Sequence, residues 1–304
     1  MKVLVIGGGI SDEREISLRS SNSVFAAVSE NHEKHFYDWD GHVDWLVNNG
    51  REFDVALPIL HGVGGEDGQI QSILEKAGLP YLGSGVASSQ ICIDKEKTQS
   101  TLAAHGIDVP KQAVVEKNEY ASHPIAKSAH VLKPVSGGSS IDTFVLKDGL
   151  LDNAKQDEVF SKHHKLILEE CIIGPELTVP VLDGYDLPAI EIIPGNDFFD
   201  YETKYDGSSQ EICNPDNISQ EVQRHAREVA RACHEALGCR HLSRVDIMLG
   251  QNNKPYVIEI NTMPGLTDQS LFPKAAAYAG LSMTDLVEHF IQLAASSTVS
   301  AESV

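Results

Sequence analysis

Hydrophobic positions follow two periods along the chain. Runs rich in β-branched and aromatic residues, bounded by Gly, Pro, Asn or Asp, predict strands at 2–10, 54–62, 109–116, 129–135, 187–194, 245–249 and 256–260. Residues 166–182 (LILEECIIGPELTVPVL) read as two strands joined by a short linker. A period of 3.6 predicts helices from about Glu15 to Ser29, from about Gly68, over 219–237 and over about 284–294. One further helix includes Ile91–Lys95 and runs on to about His105. Ile70, Ile73 and Leu74 share a face of the helix after Gly68. Val222, Ala226, Val229, Ala230 and Cys233 form a core stripe on the helix that Gly238 closes. Strand and helix alternate through the first 85 residues, which predicts an α/β domain ending at the short strand and turn Pro80–Gly85.

The pair of strands near the C-terminus carries the densest chemistry. A two-residue loop at Asn252–Asn253 suits the positive φ of a tight hairpin. Counting back from it sets Asp246 opposite Glu259 and Arg244 opposite Asn261, and period 2 puts all four on one face. Two opposed carboxylates repel unless a cation lies between them. Hard divalent cations such as Mg²⁺ take carboxylate and amide oxygens. The plain alternative is a solvated polar sheet face. The continuation Asn261–Ser270 (NTMPGLTDQS) has little reason to be a simple surface loop, and Gly265 could aim a backbone N–H at developing negative charge.

Other stretches add candidates. Lys133 ends a strand before Ser136–Ser140 (SGGSS), a Gly/Ser loop suited to phosphate although not a Walker A loop. The alternative there is a flexible hairpin loop. His61 and Glu66 fall where a strand's carboxyl end meets a helix, the usual ligand crevice of an open α/β sheet. The opening GGGISDERE suggests a dinucleotide turn but lacks the G-x-G-x-x-G spacing.

Composition narrows the partners. A formal net charge of −20 argues against a general nucleic-acid or membrane-surface binder, because both partners are anionic. Five cysteines form no CxxC pair, so a disulfide framework or structural zinc is not expected and a reducing cytoplasm fits. No apolar run approaches a membrane span, no signal peptide is visible, and the last residues read as a frayed tail.

The motifs RVDIML and IEINTMPGLTDQSL resemble the metal-binding strand pair of the ATP-grasp ligases, most closely the D-alanine–D-alanine ligase family. GGxSxE-REIS, HGxxGEDGxxQ, KPxxxGSS, GPEL and DYExKY follow in the family's order, so the likeness spans Gly7 to about Leu293. It implies an ATP-grasp fold behind a Rossmann-like parallel-sheet domain, divided as 1–85, 86–178 and 179–304. It implies ATP-dependent joining of two D-alanines through an acyl phosphate, for peptidoglycan precursors, by a cytoplasmic homodimer.

Residue roles follow from the same resemblance. Glu13 holds the ammonium of the first D-alanine, and His61 belongs to the substrate site. Lys95, Lys133, Ser139 and Ser140 contact phosphates. Glu169, Glu170, Cys171 and Ile172 hold adenine, and Glu176 holds ribose. Tyr205 bonds with Ser139 and Glu13. Lys204, Ser270 and Leu271 serve the second substrate. Asp246, Glu259 and Asn261 ligate Mg²⁺, as two ions, with Mn²⁺ as a substitute. Arg244 and the Gly265 N–H stabilise the oxyanion. Two departures stand out. Thr203 replaces a frequent Ala. Ile141-Asp142 replaces Val-Gly, adding a charge near bound phosphate that bears on closure of the phosphate loop. Three other readings remain: a related ligase with another amine or hydroxyl acceptor, a silent nucleotide-binding homologue, and an oxidoreductase with an N-terminal dinucleotide site.

Overall fold

The computed structural model describes residues 1–137, 141–194 and 209–297. The first unit contains β1 (Lys2–Gly8), α1 (Arg14–Ala27), β2 (Glu33–Trp39), α2 (Asp44–Asn49), β3 (Val55–Pro58) and α3 (Gln69–Ala77). Its strands form a parallel sheet in the order β2-β1-β3. Then come α4 (Val86–Cys92), α5 (Lys95–Ala104), β4 (Gln112–Val115), α6 (Lys117–Tyr120), β5 (His130–Pro134), β6 (Phe144–Leu146), α7 (Asn153–Lys162) and β7 (Leu166–Glu170). These four strands form an antiparallel sheet, β4-β7-β5-β6. The last unit contains β8 (Glu176–Leu182), β9 (Ile190–Ile193), β10 (Gln210–Cys213), α8 (Gln220–Ala236), β11 (Leu242–Leu249), β12 (Pro255–Asn261), α9 (Leu271–Tyr278) and α10 (Met283–Ser296). Its sheet is antiparallel, β10-β9-β8-β11-β12.

β1 is apolar on both faces, as a covered parallel strand must be. Leu4 and Ile6 pack with Trp39, Leu46, Ile70 and Leu74. Val3 and Val5 pack instead in a cluster that holds Phe272 and Phe290 from α9 and α10. The beginning and the end of the chain therefore share one core, which brings the loop after β12 to the carboxyl edge of the first sheet.

Three local expectations are corrected. The helix from Ile91 to His105 is two helices. Asp94 leaves helical geometry (φ −95°, ψ 103°) and its carboxylate accepts from the Lys97 N–H, capping α5. Lys95 thus begins a helix rather than sitting inside one. Pro80–Gly85 is not a full strand, since Tyr81 makes only an isolated parallel bridge to Ala56. The hairpin turn is longer than two residues. Leu249 pairs with Pro255, leaving Gly250–Lys254 as the loop, with Asn252 and Asn253 at φ 58° and 56°. The expected pairs Asp246↔Glu259 and Arg244↔Asn261 nevertheless form, because a register shift past Asp246 leaves Ile258 as an extra residue. Two errors, one in the loop and one in the ladder, cancel at the acids.

Candidate active site

A cleft of about 520 Å³ opens between the two antiparallel sheets. Val131, Ile141, Ile172, Met248 and Ile258 give it apolar walls, and Lys95, Lys133, Glu169, Glu176, Asp246 and Glu259 give it polar ones. The bulge explains how two neighbours on β12, Ile258 and Glu259, both reach this cleft. A second, small cavity lies beside it, lined among others by Glu13, Glu66, Lys95, Gly137, Glu259 and Asn261. Lys95, Gly137 and Glu259 belong to both walls, so the two cavities meet there.

The paired acids stand as the register requires. Arg244 grips Asp246 with two hydrogen bonds, Nε to Oδ1 at 3.0 Å and a terminal NH₂ to Oδ2 at 2.8 Å. Burial alone would lower the pKa of this guanidinium, but Asp246 and Glu259 raise it above its ordinary value. Thr178 on β8 donates to Asp246 Oδ1 at 2.5 Å, and Asn261 Nδ2 lies 3.4 Å from Oδ2. Glu259 faces the Lys95 ammonium at 3.8 Å. Burial lowers the Lys95 pKa, and Glu259 opposes that shift. No group of three His, Cys, Asp or Glu suited to a metal exists among the described residues. The donor set is two carboxylates and the Asn261 amide oxygen. It fits Mg²⁺, which needs only one or two carboxylates when phosphates and water complete its shell.

Lys133 and Glu169 form an ion pair at 2.7 Å with side chains only 5% and 3% exposed. Gln99 on α5 donates to the other carboxylate oxygen at 3.1 Å. The Glu169 carboxylate is thus tied down, and Glu169 lines the cleft beside Glu170, Cys171 and Ile172. Cys171 N–H donates to Ala129 O, joining the segment after β7 to β5.

His61 lines neither cavity, although its neighbour Gly62 lines the smaller one. It is buried, and its Nδ1 donates to the Met263 carbonyl at 2.9 Å, while Ser20 Oγ lies 3.1 Å from Nε2. Burial lowers its pKa, against the pull of Glu13. The same loop is held by Glu66, which accepts from the Gly62 and Met263 N–H groups at 2.9 and 3.1 Å. Burial pushes the Glu66 pKa up to about 7. A Cβ at Gly265 would come within 2.9 Å of Ser270 Oγ, which would have to shift. Ser270 itself accepts from the Thr267 N–H at the start of α9. Arg244, Gly265, Ser270 and Leu271 line neither cavity; Arg244 reaches the cleft through Asp246. Ser139, Ser140, Lys204 and Tyr205, with Thr203, lie outside the described residues.

The glycine turn after β1 is not a pyrophosphate cradle. Arg14 fills it, donating to Gly9 O and Trp39 O and pairing with Asp38 at 2.7 Å. A Cβ at Gly8 would meet both Asp38 and Arg14. The charge of Asp142 also departs from expectation. Its carboxylate turns to His163 Nε2 at 2.8 Å and Lys162 Nζ at 3.3 Å.

Thr178, Gln99 and Ile258 were not legible in the sequence. Thr178 is found only by pairing β8 with β11, and Ile258 only from the bulge. Glu66 stood in a legible motif, but its hydrogen bonds reach a loop nearly two hundred residues away.

Two antiparallel sheets closing on a nucleotide-sized cleft, with opposed carboxylates in its wall, are the architecture of an ATP-grasp ligase. Family models described as the D-ala D-ala ligase C-terminus and N-terminus match residues 101–292 and 47–84. The chain belongs to the D-alanine–D-alanine ligase family. It is 38% identical to the D-alanine–D-alanine ligase of Clostridium beijerinckii over 96% of this chain and 98% of that one. A solved D-alanine–D-alanine ligase from Bacillus anthracis superposes with a TM-score of 0.85 at 34% identity, covering 97% of each chain. The structure of that enzyme complexed with ATP gives 0.82 at 31%, again over 97% of each. A D-Ala:D-Ser ligase from Enterococcus faecalis gives 0.79 at 28%, over 96% of this chain and 99% of that one.

Proposed function

We propose that this chain joins two molecules of D-alanine at the expense of ATP, releasing ADP and phosphate, as a step toward peptidoglycan. The observation that carries the reading is the shared wall of Lys95, Gly137 and Glu259 between a nucleotide-sized cleft and a small cavity that Glu13 helps to line. A carboxylate is a poor acyl donor because its leaving group is poor. Transfer of the γ-phosphoryl group from ATP to the first D-alanine makes an acyl phosphate at that junction. The amine of the second D-alanine attacks, and phosphate leaves the tetrahedral intermediate.

The protein's work in this scheme is positioning and charge. Glu13 orients the first ammonium. Lys95 and Lys133 bind phosphate oxygens, and Glu176 binds ribose. Arg244 and the Gly265 N–H face the oxyanion, where one donor is typically worth about 3–4 kcal/mol. Asp246, Glu259 and Asn261 hold Mg²⁺, two ions in this reading and replaceable by Mn²⁺. When bound, Mg²⁺ would supply neutralisation of phosphate charge. Ser270, Leu271 and Lys204 hold the second substrate, and Tyr205 with Ser139 closes the site over Glu13. The domain division 1–85, 86–178 and 179–304 belongs to the same reading. So does a cytoplasmic homodimer.

ADP release from Mg·ATP is measured with D-alanine and with L-alanine, followed by product mass. Release with D-alanine alone and a dipeptide mass is expected; no release with D-alanine sinks the reading. A second acceptor is favoured by the D-Ala:D-Ser ligase among the structural neighbours, so D-serine and D-lactate belong in the same assay.

A further inference from the structure

The position that departs from its family's glycine is built into the cleft from behind. Ile141 and Thr143 both line the nucleotide-sized cleft. Asp142 lies between them with φ 53°, in the left-handed region that glycine occupies freely and that Asp tolerates better than most residues. Its side chain is 14% exposed and points to the end of α7. There His163 donates at 2.8 Å and Lys162 at 3.3 Å. Lys162 is shared with Glu158 at 3.1 Å, one turn back on the same helix. Burial would raise the Asp142 pKa, but these two partners outweigh it and hold the carboxyl below its ordinary value. Charge-assisted hydrogen bonds of this kind fix geometry more firmly than neutral ones.

We propose that Asp142 is a positioning residue for nucleotide binding: by clamping onto His163 and Lys162 it holds Ile141 and Thr143 in the wall of the cleft. A glycine at this position accepts the same backbone conformation but holds nothing. Without the clamp, the segment must be ordered when nucleotide binds, and that entropy is subtracted from affinity. The clamp touches neither the paired acids nor the small cavity that Glu13 lines, so its loss weakens nucleotide binding and leaves the chemical step alone. The inference rests on the nucleotide reading of the cleft given above.

The test is calorimetric titration of the full chain with Mg·ADP, paired with steady-state kinetics. Asp142→Gly and His163→Ala are each expected to raise the Kd for ADP and the KM for ATP on the order of ten-fold, equivalent to about 1.4 kcal/mol. The kcat at saturating ATP stays within about two-fold of the parent, since that step does not use the clamp. Asp142→Asn and His163→Gln keep part of the hydrogen bonding and fall between. The double variant Asp142→Gly/His163→Ala is no worse than Asp142→Gly alone, because that change already removes both contacts. An unchanged Kd and KM in both single variants, with only a lower Tm, overturns the inference and leaves a merely stabilising contact. ADP binding without any amino-acid turnover overturns the ligase reading alone, because the Kd comparison still decides the clamp.

Discussion

The imidazole of His61 bonds through Nδ1 to the carbonyl oxygen of Met263, 202 residues further along the chain. Ser20 serves both sides of that contact, meeting His61 Nε2 at 3.1 Å and accepting the Leu266 N–H at 3.2 Å. His61 therefore fixes the loop that carries Gly265. Replacing it with Ala leaves buried polar groups without partners, at a cost of about 1–3 kcal/mol. His61→Ala is expected to lower Tm and to weaken turnover through the second substrate. Denaturant unfolding, with KM measured separately for each amino-acid site, checks both.

Glu66 makes stability depend on pH. Its native pKa of about 7 lies above the ordinary carboxyl value of 4.5, so the folded chain holds a proton that the unfolded chain has lost. That contribution is complete below 4.5 and is lost as pH rises through about 7. A shift of this size corresponds to an upper bound on the order of 3 kcal/mol. Glu66→Gln is expected to flatten the stability curve across this window and to be the more stable protein at pH 8. Parallel melting curves from pH 4 to pH 8 decide it.

The ion pair of Lys133 with Glu169 is buried on both sides. Removing one partner strands a buried charge, which typically costs about 3–5 kcal/mol. Glu169→Ala is expected to destabilise the chain by that order, and Lys133→Met/Glu169→Ala to recover part of the loss. Chemical unfolding of the singles and the double provides the comparison.

Thr178 holds Asp246 through its hydroxyl at 2.5 Å. Losing a partner that orients a metal ligand typically costs 10-fold or more in metal affinity or activity, about 10–100-fold in known sites. Thr178→Val preserves the strand and removes the bond. It is expected to raise the Mg²⁺ concentration needed for half-maximal ADP release by about that factor. A Mg²⁺ titration at fixed ATP gives the answer, and chelation with EDTA is expected to abolish turnover in both proteins.

The fold was legible where period and chemistry coincided. Strands β1, β5, β7, β8 and β11 stand close to their expected bounds, and α8 carries its predicted stripe inward at Ala226, Ala230 and Cys233. What escaped were features without a local signature. The charged strand β2 (EKHFYDW) shows no clean alternation, so its place beside β1 could not be read. The reading of Ile91–His105 as one helix passed over an N-cap at Asp94, whose carboxylate accepts from the Lys97 N–H. At the site, the acids were found by alternation, which survived a wrong loop only because the bulge compensated. The hydrogen bonds to Thr178, Gln99 and Met263 join segments separated by 68, 70 and 202 residues, and no window along the chain contains both partners.

Val3 and Val5 on the first strand share a cluster with Phe290 and Ile291 on the last helix. Consider the chain leaving the ribosome. The first sheet can cover one face at once with Leu46, Ile70 and Leu74, while the other, covered in part by Val24 and Val28, is completed only when Phe272, Phe290 and Ile291 arrive. Non-local contacts of this kind slow folding and expose apolar surface in the interval. Part of one face of the first sheet thus stays exposed until α9 and α10 have been made.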